Sequence, residues 1–280
     1  MTTAMTSAEK DNVMSIKLSE VTISIDITRP EFWDFETVDG PEKVARSFRK
    51  MLDSGNEVLD ISSSGIRSIR GEIVNLLTLL RILDISYNKI ESLPVEIVDL
   101  SNLVRLDLSH CNIVKLPPLP NTLTYFYCRY NKLEELSILP TNLTHLICCN
   151  NKIKKISSLP IKLIQLDCHN NEMVELPSLP DNLTHLICFN NKLIKVPPIP
   201  DKLIVLTCFN NRIKVLPKLS RTLTHLHCGN NKLKKLPILP VILIELCCHK
   251  NKITEFQPFP DGLKYLSCAD NPISDTQSTY

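Results

Sequence analysis

Eleven cysteines and seven histidines are the side chains of this 280-residue sequence whose chemistry could go beyond packing. Thiolates attack electrophiles, close disulfides and bind soft metals, while imidazoles carry protons near neutral pH or ligate zinc. Spacing decides among these uses. Cys128, Cys148, Cys168, Cys188, Cys208, Cys228, Cys248 and Cys268 recur every 20 residues, which makes them one column of a repeat. The total is odd and no apolar secretory signal precedes them, so the column reads as buried free thiols in a reducing compartment. On that reading the N-x-T matches at Asn142 and Asn182 carry no glycosylation, and the expected location is cytoplasmic.

The histidines, His110, His145, His169, His185, His225, His227 and His249, all fall at the strand-face or rim positions of their units. His145, His185 and His225 stand in alternate units, roughly 10 Å apart at the usual strand spacing, too far to share a metal. His225, His227, Glu245, Cys247 and His249 come from two adjacent units and could approach within ligand distance. No short ligand motif such as C-x-x-C supports a site, so these residues read as polar contacts, with metal binding left as an open question. A face carrying this many imidazoles is expected to bind in a pH-sensitive way. No catalytic residue and no cofactor is assigned. The six glycines include no G-x-G or Walker-type loop, which excludes glycine-rich phosphate cradles.

The elements that position these groups follow from the same period. Asn131, Asn151, Asn171, Asn191, Asn211, Asn231, Asn251 and Asn271 share it, so the chain is a solenoid. Around each Asn runs L-x-x-L-x-C-x-x-N-x-(L/I/M), as in Leu183, Leu186, Cys188, Asn191 and Leu193. Period-two alternation places Leu186 and Cys188 inward and His185 and Ile187 on the opposite face of a short parallel strand. The Asn amide sits where the chain leaves the strand and is expected to satisfy backbone groups of the neighbouring turn. Longer units precede: Leu59, Ile61, Ser64 and Ile66; Leu83, Ile85, Asn88 and Ile90; Leu106, Leu108, Cys111 and Ile113. That makes eleven units, the last incomplete. EIVNLLTLL and VEIVDLSNL predict short outer helices in the long ones. The 20-residue units return through Pro120, Pro140, Pro160, Pro180, Pro200, Pro240 and Pro260, with Ser220 as the break, which predicts an extended, polyproline-like convex side.

Four segments result: a flexible residue 1–28 stretch with a short strand at Val21, Ile23, Ile25 and Ile27, a helical cap over 29–55, repeats over 56–273 and a polar tail over 274–280. Gly40-Pro41 opens the cap helix, Val44, Phe48, Met51 and Leu52 form its apolar stripe, and Gly55 closes it, with Phe32, Trp33 and Phe35 packed against it. Residues 1 to about 15 read as disordered, and the final edge as weakly shielded or paired with another chain. A composition 43% hydrophobic and 22% charged fits an ordinary folded domain, and no apolar window is long enough to span a bilayer. The net charge of +2 hides −5 over residues 1–120 and +9 over 121–260. Much of the excess is a flank of lysines after the Asn column, among them Lys132, Lys152, Lys192, Lys232 and Lys252, with Arg212. That flank is either a solvated face or a contact for something anionic, and the lack of interleaved aromatics makes nucleic acid the weaker option.

The strand face predicts a protein-binding surface from Tyr125, Tyr127, Tyr130, His145, Ile147, His169, His185, Ile187, Phe189, Val205 and Phe209. Phe189 and Phe209 hold equivalent positions of adjacent units and should stack as a ledge.

The unit resembles the leucine-rich repeat over about residues 56 to 273. The resemblance implies an α/β-type horseshoe with a parallel concave sheet. In its P-x-L-P phasing, and in EFWDFETVDGPEKVARSFRKML followed by EVLDISSSGI, the chain is similar to bacterial effector repeats of the invasion plasmid antigen H and YopM type. Cysteine in the inward column departs from the Val or Leu norm and is similar to repeats of large DNA viruses. SLPVEIVDLSNLVRLDLS looks like the intracellular Ras-associated group. The effector resemblance implies recognition of host proteins, an effector or scaffold acting in virulence. Many members of that family add a ubiquitin ligase domain with Cys-x-Asp. Cys268-Ala269-Asp270 matches the tripeptide but lies in phase with the core column, so the ligase half is not expected. A non-enzymatic protein-binding module is the first reading. The alternatives are an enzyme built on the His/Cys cluster or a ligase remnant, and an anionic-surface binder using the lysines.

Overall fold

Each repeat buries its side chains in two steps, one in the middle of a three-residue strand and one just beyond it. In a computed structural model that describes residues 13–18, 21–26, 33–36, 39–53, 55, 57–75 and 77–273, the chain forms two compact units, 1–132 and 133–280. The first stacks the parallel strands Val58–Asp60, Ile82–Asp84, Arg105–Asp107 and Tyr125–Tyr127. The second stacks His145–Ile147, Gln165–Asp167, His185–Ile187, Val205–Thr207, His225–His227, Glu245–Cys247 and Tyr265–Ser267. Pairing keeps the repeat register, Leu166 facing Leu186 and Leu186 facing Leu206. Leu146, Leu166, Leu186, Leu206, Leu226 and Leu246 are fully buried, and so are the cysteines two residues on, from Cys148 to Cys248. The parallel-strand solenoid with little helix is thus the fold expected of the leucine and cysteine columns.

Three residues per strand give few ladder bonds, and the bonding continues past the strand end. Cys188 N–H donates to Thr207 O at 2.8 Å and Asn190 N–H to Phe209 O at 3.1 Å. The buried Asn then closes the turn. Asn171 Nδ2 donates to Cys168 O of its own rung and Cys148 O of the previous one, both at 3.1 Å, while Oδ1 accepts Ile153 N–H at 2.9 Å. Asn131, Asn191, Asn211, Asn231, Asn251 and Asn271 repeat the pattern, and Asn88 does so in the first unit. Asn151 accepts Leu133 N–H and donates to Cys148 O. In its own rung Cys111 holds this place, its Sγ 3.4 Å from Ile85 O.

On the return side the proline carbonyl accepts a tight-turn bond, as from Leu183 N–H to Pro180 O and Leu243 N–H to Pro240 O, each 3.0 Å. Ser220 accepts the same turn bond, from Leu223 N–H at 3.3 Å, and adds side-chain bonds: its Oγ reaches Asp201 O at 2.6 Å and accepts Thr222 N–H. The outer helices are shorter than their apolar patterns predict. Gly71–Val74 makes one α-turn and Val95–Asp99 a 3-10 turn that starts after Pro94. A unit of this length leaves no room for more than a turn before the chain must re-enter the sheet.

At the N-terminal end the helix Gly40–Asp53 buries Val44, Ala45, Phe48 and Met51. Trp33 packs edge-on against Phe48, ring centroids 6.3 Å apart. Gly40 is required by close approach, since a Cβ there would lie 2.5 Å from the Phe35 ring and 2.6 Å from Ser64 O. The expected strand near Val21 spans Val21–Asp26 and pairs antiparallel with Val13–Leu18, so residues 13–18, read from sequence as part of a flexible stretch, form a strand. The expectations for residues 1–12 and 274–280, for Ile27 and Phe32, and for the Leu52 side chain lie outside the described residues.

Removing one rung amide should therefore matter far more than its size suggests. Asn171→Ala leaves Ile153 N–H and Cys148 O short of a partner and is expected to destabilise by about 3 kcal/mol, on the order of 1–3 per buried group left unpaired. The adjacent Asn170→Gly, at φ 52°, should stay within about 1 kcal/mol because glycine tolerates the left-handed conformation. Urea midpoints of the two variants check the contrast.

Candidate functional site

The residue before each rung's Asn, or before Cys111 where that replaces it, is left-handed, with φ between 49° and 57° from Tyr87 to Asp270. What occupies it differs between the units. In the first it carries rings: Tyr87, His110 and Tyr130 stack at centroid spacings of 4.2 Å and interplanar angles of 8° and 17°. In the second it carries amides: Asn170, Asn190, Asn210 and Asn230 each donate Nδ2 to the Oδ1 of the Asn 20 residues earlier, at 2.6–2.7 Å. This second asparagine ladder escaped the sequence reading, although the Asn-Asn pairs at 150/151, 170/171, 190/191, 210/211 and 230/231 announce it.

One position earlier lies the ring column of the second unit. His169, Phe189 and Phe209 stack at 4.3 Å, nearly parallel, so the ledge expected of the two phenylalanines is present with a histidine added. His169 is steered by Asp167, whose Oδ1 lies 2.6 Å from Nδ1. The column stops at Gly229, where a Cβ would stand 2.7 Å from His249 Cε1. His249 therefore lies over the glycine instead of continuing a stack.

The strand face itself is drier than expected. Tyr125 and Tyr130 are exposed at 37% and 48%. Tyr127 is half-buried, with the Arg105 guanidinium carbon 4.9 Å from its ring centroid. Arg81, Arg105, Tyr125 and Tyr127 line a depression of about 380 Å³. Ile147, Ile187 and Val205, read as solvent-facing anchors, are half-buried, because parallel strands lie close enough for each rung to cover its neighbour's side chains. The most exposed large apolar groups are instead on the return side: Val241, Ile238, Ile138 and Ile161, at 78–83%. His145, His185 and His225 share one device, a threonine Oγ1 from the preceding residue 2.8 Å from Nδ1.

Among the described residues, two clusters bring potential ligands together, Cys149/Asp167/His169 and His227/Glu245/Cys247, each with ligand atoms within 4.8 Å. In the second, His227 Nε2 is 3.1 Å from Glu245 Oε1, His225 Nε2 is 3.9 Å from Oε2, and Cys247 Sγ is 4.0 Å from Oε1. His249, included in the sequence grouping, is not part of it. On the flank, Lys214, Lys232, Lys234, Lys235 and Lys252 line a groove of about 610 Å³ with Glu255. Lys154 and Lys192 are neutralised by Glu134 and Glu172 at 3.0 and 2.9 Å.

None of the eleven cysteines is in a disulfide, and only Cys247 and Cys268 are partly exposed. Burial pushes the Cys168, Cys188 and Cys228 thiols well above their usual range, Cys208 and Cys248 up to about 12, and Cys111 to about 11. A thiol held protonated and covered does not react. Titration of the native chain with a thiol reagent is therefore expected to modify Cys247 and Cys268 rapidly and the other nine only on unfolding.

Burial, then the charge of Arg129, lowers the pKa of His110, and burial, then His185, lowers that of His145. A histidine depressed in the folded state binds fewer protons folded than unfolded. Its contribution is intact above the unfolded value near 6.5 and is lost as pH falls from there toward the folded value. Thermal midpoints should thus drop on acidification below about pH 6.5, and less steeply in His110→Phe, which keeps a ring between Tyr87 and Tyr130.

Comparison with known proteins agrees with this architecture. Residues 57–113 match the family model described as leucine rich repeat. No curated protein matches the sequence. Among solved structures, the leucine-rich effector YopM from Yersinia pestis is 26% identical, with 84% of this chain and 89% of that one covered and a TM-score of 0.52. A leucine-rich-repeat protein of Leptospira interrogans is 26% identical over 80% of this chain and 69% of that one, TM-score 0.59. The functional domain of InlJ from Listeria monocytogenes, which includes a cysteine ladder, is 23% identical over 86% and 71%, TM-score 0.51. No helix among the described residues is long and apolar enough to cross a membrane.

Proposed function

The chain is a leucine-rich-repeat solenoid, and we propose that it is a non-enzymatic module that binds a protein partner across its strand face and the ring-bearing rim beside it. The observation that carries this reading is the ring column His169–Phe189–Phe209, half-buried and stacked nearly parallel at 4.3 Å. Stacked rings are already ordered by their neighbours, so docking onto them costs little side-chain entropy while covering a large apolar area. Tyr125 and Tyr130 add exposed rings with polar tips in the first unit. His145 and His185 bring imidazoles oriented by Thr144 and Thr184. Occlusion or scaffolding needs nothing beyond such contacts. Likeness to a Yersinia effector, together with a core of free buried thiols, favours action in a reducing cytosol, that of a host cell.

A second reading uses the lysine groove. Five lysines against one glutamate make a site for an anionic surface, held by long-range charge and weakened by salt.

One experiment separates them. The chain and a Tyr127→Ala/Phe189→Ala/Phe209→Ala variant are used to capture proteins from a eukaryotic cytosolic lysate, and the retained protein is titrated against both. Protein binding through the rings predicts a partner whose affinity falls by roughly 30-fold or more in the variant, the loss of a hot spot of about 2 kcal/mol. Equal retention by both, abolished by salt, assigns binding to the lysines instead.

A further inference from the structure

We propose that His227, Glu245 and Cys247, with His225 as a fourth donor, form a zinc site on the strand face of the second unit. The backbone makes the arrangement. His225 and His227 are two residues apart on one strand and share a face; Glu245 and Cys247 do the same on the next, paired directly opposite them. The ligand atoms of His227, Glu245 and Cys247 already lie within 4.8 Å of one another, and His225 stands beside them with Nε2 3.9 Å from Glu245 Oε2. A tetrahedral zinc with bonds of about 2.0–2.3 Å separates its donors by roughly 3.3–3.8 Å, so small side-chain rotations complete the shell. Nitrogen and sulfur donors with one carboxylate suit zinc and not calcium or magnesium.

One further observation points to a ligand. His227 Nε2 is buried and without a hydrogen bond; its 3.1 Å approach to Glu245 Oε1 is an ion-pair distance without hydrogen-bond alignment. A buried nitrogen left without a partner is costly unless something fills its lone pair. The fourth donor is oriented by the device it shares with His145 and His185: Thr224 Oγ1 lies 3.2 Å from Ile204 O and 2.8 Å from His225 Nδ1. A hydroxyl has one proton, and once it is given to the carbonyl its oxygen accepts from Nδ1–H. That fixes the tautomer whose Nε2 lone pair faces Glu245. The other cluster lacks these features: Asp167 already holds His169 Nδ1 at 2.6 Å, and Asn150 Nδ2 is 3.3 Å from Nε2.

The site stands independently of the protein-binding reading and is tested on the full chain with zinc alone. Chelator-stripped protein is titrated with Zn²⁺ in competition with a chromophoric chelator, and with Co²⁺ to detect a thiolate-to-metal charge-transfer band. The expected result is one metal per chain, lost in His227→Ala and in Cys247→Ser, with the band absent from Cys247→Ser. Thr224→Val should weaken binding by roughly 10–100-fold. Cys268→Ser and Cys149→Ser should bind as the unaltered chain does. Far-UV circular dichroism of each variant verifies the fold; Cys247 is not a core residue. The proposal is overturned by substoichiometric uptake in the unaltered chain, by unchanged uptake in a folded His227→Ala/Cys247→Ser variant, or by a band that follows Cys149 or Cys268.

Discussion

An asparagine amide, present in every rung but those of Ser64 and Cys111, ties one turn of this chain to the turn before it. Three-residue strands cannot hold a solenoid together alone, because each contributes only a few bonds before the backbone leaves the sheet. The Asn side chain extends the connection around the corner, giving protons to carbonyls of its own rung and the preceding one and taking an N–H from that preceding rung. This demand fixes the phase. It also forces the residue just before it into left-handed backbone, which costs on the order of 1–2 kcal/mol for a residue with a Cβ. The rim columns follow from that cost. Asparagine tolerates the conformation and recovers bonds along its ladder, while Tyr87, His110 and Tyr130 recover energy by stacking.

The same period-two alternation gives neighbouring cysteines opposite chemistry. Cys248 points inward and is sealed among leucines, with its thiol held protonated. Cys247 points to the strand face, where burial and then the Glu245 carboxylate raise its pKa less completely and where solvent, histidines and a carboxylate all reach it. A core of thiols is thus chemically quiet, and reactivity belongs to the two that remain partly exposed, Cys247 on the strand face and Cys268 on the last rung.

The inward columns were legible because they are statements about exclusion from water, and exclusion leaves a residue type at fixed spacing: Leu186, Cys188 and Asn191 were placed from sequence, and their burial and bonds agree. The Phe189–Phe209 stack was legible for the same reason, since equivalent positions of adjacent rungs face each other. Depth on the strand face was not. Ile147, Ile187 and Val205 have the composition of anchors, but how much of each stays wet depends on neighbouring rungs, which alternation does not encode. The role of Asn170 is masked in the sequence by Asn171 beside it, since one asparagine per rung is enough to close the turn. Its role needs the backbone angle as well as the residue. Metal-ligand geometry at His227 was only half visible: register brought the four donors together, while the orphaned nitrogen is a matter of side-chain direction.

The strict period has a consequence for how such a chain can change. Every bond of a rung is made to the residue 20 positions away or within a few of it, so positions 171 and 191, or 190 and 210, are interchangeable splice points. Excising 171–190 would join Asn170 to Asn191 and restore each column in register, whereas deleting a single residue there would throw leucine, cysteine and asparagine onto the wrong faces together. Length in this molecule is therefore quantised: it can grow or shrink by whole turns through recombination between repeats that share one phase, moving the rings and lysines by whole rungs without rebuilding the frame that carries them.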